Sequence, residues 1–278
     1  HLKDEYQRFL VASARNMSEA REIKNGKKIY RVGTGDGVEA SVVGSHFVLE
    51  AARYLGHDTE AQQGLESLWD SQKADGSFAS ALGESDWKET AAAVYALVRQ
   101  AELSQNWEFF HSMYPDAHKA MMYLRDKRAK GVEEGNPNGR YGFLPSGLGG
   151  NGLDGISAEF ANTIWTMLSL RLLLEVANRF TLSKGPDIRG FYTDLWVGFG
   201  NNFKDELRQH PDGFSFFPML AKDDPRWADP DEKKRPIPQV AQMYVGQAIY
   251  PGLLFTRKHQ VTGGYLELMK AVATEDVP

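Results

Sequence analysis

The sequence predicts an all-α chain built from stacked helical hairpins. Three observations carry that prediction. Apolar residues recur at helical spacing through most of the 278 residues. Alternating, extended segments are nearly absent, with Lys28 to Val32 the one short exception. Gly-aromatic turns recur at a loose interval: Asp75-Gly76-Ser77-Phe78, Gly139-Arg140-Tyr141-Gly142-Phe143 and Asp212-Gly213-Phe214 stand 64 and 73 residues apart. That interval holds two helices and their connections, so the chain holds about four hairpins.

The elements follow in order. Leu2 to Arg21 reads as a first helix, with Tyr6, Phe9, Leu10 and Ala14 on one stripe. Val42 to Leu55 is a second and stops at Gly56. Thr59 to Gln72 is a third, capped by Asp58 or Thr59. Asp86 to Ser104 is a fourth. Ser85 or Asp86 caps it, and Glu89 stands near the place a capping box needs. Trp107 to Ala129 is a fifth region, in which Pro115 predicts a break and a fresh start. Ser157 to Phe180 has the broadest stripe, through Ile164, Met167, Leu168, Leu172 and Val176. Ile188 to Arg208, Pro238 to Ala248 and Gly263 to Ala273 complete the set. No linker divides the chain, so residues 1–278 read as one domain.

Composition excludes several classes. Hydrophobic residues make up 42% and charged residues 25%, which excludes a disordered chain. No apolar run approaches the ~18 residues of a membrane span. The net charge is −5, and the basic clusters are short and flanked by acids, which speaks against nucleic acid as a partner. With no Cys there is no disulfide, thiolate nucleophile or thiolate metal site. No metal or other cofactor is expected. The compartment stays open between an exported and a cytoplasmic location, the former favoured.

Local motifs of nucleotide, zinc or serine chemistry are lacking. Gly33-Thr34-Gly35-Asp36-Gly37 is Gly-rich but has no βαβ pattern around it. The acids of Lys222 to Pro238 lack the spacing of a calcium loop and read as solvated. Carboxylates near helix starts are the better lead. Asp36 and Glu39 precede the second helix, Glu84 and Asp86 the fourth, and Asp154 and Glu159 the sixth. In a ring of hairpins, alternate helices form the inner layer, and their N-terminal ends face one mouth. Acids from separate segments then converge there, where the helix N-terminus favours their ionised form. Glycoside hydrolysis needs two carboxyls, one to protonate the leaving oxygen and one to activate water or attack the sugar. N-capping is the competing use of each acid. Trp87, Tyr141, Phe143 and Trp165 lie near these acids and offer a stacking floor for a sugar. Asn162, one turn after Glu159, bonds either a sugar hydroxyl or a neighbouring helix.

Three stretches resemble the six-hairpin glycosidases, an (α/α)6-barrel superfamily. The first is Phe47 to Gly56 with Gly64 to Leu68 and Gln72 to Phe78. The second is Trp87-Lys88-Glu89-Thr90 with Ala93, Ala96-Leu97, Tyr114-Pro115 and Ala120 to Leu124. The third is Gly142-Phe143-Leu144-Pro145 with Asn162-Thr163-Ile164-Trp165 and Leu170. Together they cover roughly residues 30–180. The resemblance implies an (α/α)6 toroid with an inward-facing carboxylate site and an oligo- or polysaccharide as substrate. Asp154 best matches the family's acid before the sixth helix, and Glu159 is the near alternative. Asp36, Glu39, Asp86, Trp87, Tyr141, Asn162 and Trp165 are the substrate-binding candidates.

Two departures from the family stand out. Ser41-Val42-Val43-Gly44 stands where a Trp-x-x-Asp is expected. Six hairpins at this interval need roughly 390 residues, so the toroid is expected to be incomplete here, with a further segment of the same polypeptide completing it. Two rivals share the fold. A polysaccharide lyase would use Tyr141 or His46 as base, with Arg140 or Lys88 neutralising a uronate. A glycan-binding toroid would have lost its acids.

Overall fold

The computed structural model describes residues 4–19, 21–24, 26–30, 41–78, 86–135, 142–148, 156–157, 159–232, 235–238 and 242–274. Among these the chain is mostly helical, with nine α-helices and little strand. The helices are α1 (Asp4–Glu19), α2 (Val42–Tyr54), α3 (Asp58–Trp69), α4 (Trp87–Ser104), α5 (Trp107–Glu133), α6 (Phe160–Arg179), α7 (Gly185–Glu206), α8 (Met243–Ile249) and α9 (Gln260–Thr274). Three two-stranded antiparallel ribbons join them: β1 (Arg21–Lys24) with β2 (Lys27–Tyr30), β3 (Gly147–Leu148) with β4 (Ile156–Ser157), and β5 (Arg208–Gln209) with β6 (Ser215–Phe216). No described helix is long and apolar enough to cross a membrane.

Helices α2, α4, α6 and α8 lie side by side in chain order, and each packs on the helix that follows it: α3, α5, α7 and α9. The two rows differ in burial for a reason visible in their residues. From Trp87 to Val98, α4 is buried on every side. Its Ala91-Ala92-Ala93 run lets neighbouring helices approach closely. From Phe160 to Leu170, α6 is buried likewise. A helix enclosed all round carries no polar face. By contrast α5 buries one stripe, Phe110, Tyr114, Ala117, Met121 and Leu124, and turns Arg125 and Asp126 outward.

Three expectations from the sequence need correction. Pro115 does not break the fifth region, because α5 runs unbroken from Trp107 to Glu133. Proline removes one helical bond, to the carbonyl of His111, and the buried stripe on either side outweighs that loss. Asp58 and Thr59 do not cap α3. His57 holds the cap position, and the Asp58 carboxylate accepts from Arg53 Nη1 at 3.0 Å. Asp86 does hold the cap position of α4, yet its carboxylate makes no cap bond and takes the Lys88 ammonium instead.

Candidate functional site at the helix N-termini

Two of the Gly-aromatic turns are tied to the starts of α4 and α6. Asp75 Oδ1 accepts from the Ser77 N–H at 3.0 Å and the Ser77 hydroxyl at 2.7 Å. Gln72 Nε2 donates to the carbonyls of Gly76 and Asp116, both at 3.1 Å, which pins the turn onto α5. The turn then hands its Phe78 N–H to Thr90 Oγ1 at 3.0 Å. The next turn repeats the device, with Leu144 N–H donating to Thr163 Oγ1 at 3.1 Å. Thr90 and Thr163 are both the fourth residue of their helix. Gly142 carries a φ of +73° and its carbonyl accepts from Arg128 Nε at 2.5 Å.

One residue earlier in each helix sits a second repeated device. The third residue of α4, Glu89, reaches across to the start of α2. It accepts from the N–H of Val42, the N–H of Val43 at 3.1 Å and the hydroxyl of Ser41 at 2.8 Å. The third residue of α6, Asn162, reaches across to the start of α4, where its Oδ1 accepts from the Lys88 N–H at 2.8 Å. Thus α4 satisfies orphan amides at the start of α2, and α6 satisfies one at the start of α4. Glu89 therefore does not close a box on its own helix. Burial, then the nearby charge of Asp86, raises its carboxyl above the usual range.

The remaining candidates spread over this end and the core behind it. Glu159 is 1% exposed and stands at the cap position of α6. Its backbone bridges Leu220, and the next N–H, of Phe160, donates to the Met219 carbonyl at 3.0 Å. Tyr244, fully buried on α8, donates its hydroxyl to the Pro218 carbonyl at 3.0 Å. Burial, and after it the charge of Glu159, holds that phenol well above its usual range. Trp87 is 8% exposed, with the Lys127 ammonium 5.4 Å from its ring centre. Trp165 is 2% exposed and packs edge-on against Tyr95 at 5.5 Å and His46 at 6.0 Å, which places it inside the helix layer. Asn162 takes the second of its two open uses, a bond to a neighbouring helix. The Trp87 indole N–H and the Asn162 amide nitrogen have no partner among the described residues.

Asp154, Asp36, Glu39, Tyr141, Glu84 and Arg140 lie outside the described residues. His46, on α2, is buried and packs edge-on against Tyr95 of α4 and Trp165 of α6. Burial lowers its pKa to about 4, against an opposing pull from Glu50, 3.6 Å away. In the charged loop, Asp224 accepts from the Arg226 N–H at 3.0 Å and pairs with its guanidinium. Among the described residues no group of three or more His, Asp or Glu side chains is placed to hold a metal ion.

Sequence reasoning met Ser41 only as a departure from the family pattern, and it did not single out Tyr244. The signal for Ser41 was its place before the apolar start of α2, and Tyr244 had none. The arrangement presents acids, buried donors and a tryptophan at the starts of adjacent helices. That set is suited to proton transfer and to binding hydroxyl groups. No protein-family model matches the chain, and neither a curated protein nor a solved structure matches it.

Proposed function

We propose that the chain hydrolyses glycosidic bonds, and that its four hairpins are packed as in a six-hairpin (α/α)6 ring. The observation that carries this reading is the gathering of Asp86, Glu89 and Glu159 at the starts of adjacent helices α4 and α6, beside two donors without described partners. Asp86 is paired with Lys88, and Glu89 holds the start of α2. Those two acids therefore shape the site. The proton donor is assigned to Asp154 or Glu159, both of which precede α6 in the sequence. The Trp87 N–H and the Asn162 amide are the donors offered to sugar hydroxyls.

The test is a panel of neutral and acidic oligosaccharides, with products followed by mass. Hydrolysis gives fragments that together equal the substrate plus one water. Either Asp154→Asn or Glu159→Gln then lowers kcat by about 10²–10⁴-fold, the usual worth of a general acid. Fragments without added water, one of them unsaturated, would make the protein a lyase. Binding without cleavage would leave a glycan-binding role.

A further inference from the structure

At the opposite end of α4, roughly 27 Å along its axis from Asp86, lies a polar cleft of about 650 Å³. One face of α3 forms a wall through Thr59, Gln62 and Glu66, which share a stripe at helical spacing. The last turn of α4 and the α4–α5 connection form the other wall through Leu103 and Asn106. Arg53, at the end of α2, also lines it, with its side chain only 6% exposed.

Arg53 is held rigidly. Nε donates to Gln100 Oε1 at 2.7 Å, Nη1 to Asp58 Oδ1 at 3.0 Å and Nη2 to Gln62 Oε1 at 3.2 Å. A guanidinium has five N–H groups in a fixed fork, so these three bonds leave two donors over. Behind it, Gln100 is buried, and its Nε2 has no partner among the described residues. Buried donors of this kind call for an acceptor.

The charges decide what kind. An anion would meet Arg53 but also the carboxylates of Asp58 and Glu66. A cation would meet those carboxylates but also the guanidinium. A neutral ligand whose groups both donate and accept suits the whole lining, and hydroxyls do both. Leu103 gives the C–H face of such a ligand an apolar surface. The volume falls within the range of small-molecule sites.

We propose that this cleft binds a neutral saccharide at a site separate from the helix starts. The ligand class follows from the cleft's own donors and acceptors and does not rest on the hydrolase reading. The test is nuclear magnetic resonance on the whole chain, following the Arg53 Nε and the Gln62 and Asn106 amides. The probes are neutral glucose, xylose and galactose trisaccharides, with inorganic phosphate as the anion control. The expected result is saturable shifts at these signals with a Kd of about 1 mM or tighter, and none with phosphate. Thr59→Trp, which fills the cleft from an exposed position, weakens binding by about tenfold or more. Gln62→Leu, which removes an amide without filling the space, weakens it too.

No shift with any saccharide, a shift with phosphate alone, or binding that both variants leave intact would overturn the proposal. Glu159→Gln leaves these shifts in place. Loss of the cleft signals with cleavage retained, or the reverse, separates this proposal from the hydrolase reading.

Discussion

Glu89 shows how one side chain carries two consequences. It is the acceptor for three donors at the start of α2. Glu89→Ala leaves buried amides without an acceptor, and the expected loss is about 2 kcal/mol in urea denaturation. Its pH signature has a definite sign. The folded carboxyl binds its proton more tightly than the ordinary value of 4.5. As pH rises from that value toward the raised one, the folded state holds more protons than the unfolded state, so this group's contribution falls. His46 has the opposite sign. Its folded pKa of about 4 lies below the ordinary 6.5. In that window the unfolded state binds more protons, and stability drops by about 3 kcal/mol as pH falls through it. Urea midpoints between pH 4 and pH 7 measure both, and His46→Gln should flatten the acid-side loss. An unchanged profile in that variant would remove His46 as the cause.

At the scale of elements, the turns yield a paired comparison. Gly76 has a φ of +96°, and a Cβ there would stand 2.8 Å from the Lys119 carbonyl oxygen. Gly26 has a φ of +78° but open space around it. Gly26→Ala therefore costs only the left-handed backbone, about 1–2 kcal/mol. Gly76→Ala costs that and a collision with α5, and its urea midpoint should fall further. Asn162→Ala gives an element-scale readout of a different kind. The Lys88 amide loses its acceptor, and its hydrogen exchange should accelerate relative to the middle of α4.

The helices themselves were legible because burial of one stripe, or of all stripes, writes itself into spacing. The α5 boundary was not. A proline in a sequence announces a lost bond but says nothing of the Phe110 to Leu124 stripe that holds the helix together across it. The β1–β2 ribbon was half seen, through the extended run after Lys27. The signal passed over was Asn25-Gly26 between the paired Lys24 and Lys27, a dipeptide suited to a two-residue turn.

For the molecule as a whole, the order of hairpins was readable from the turn interval, and that interval corresponds to the pairs α2–α3, α4–α5, α6–α7 and α8–α9. The placing of Asp86 before α4 and of Glu159 before α6 was also readable. What each acid does there was not, because the partners are far apart in the chain. Glu89 stands 46 residues from Val43, and Asn162 stands 74 from Lys88. Local rules see a capping box on α4, whereas the folded chain spends the same carboxyl on α2.

These ties between helix starts impose a direction on assembly. The α2–α3 hairpin comes off the ribosome with bare amides at the start of α2, and Glu89, which satisfies them, lies in the hairpin still to be synthesised; the start of α4 awaits Asn162 in the same way. These two units each wait for a successor to close them. Over this stretch stability passes backward along the chain as growth passes forward, and a stall after either hairpin leaves the most recent helix start as its weakest point.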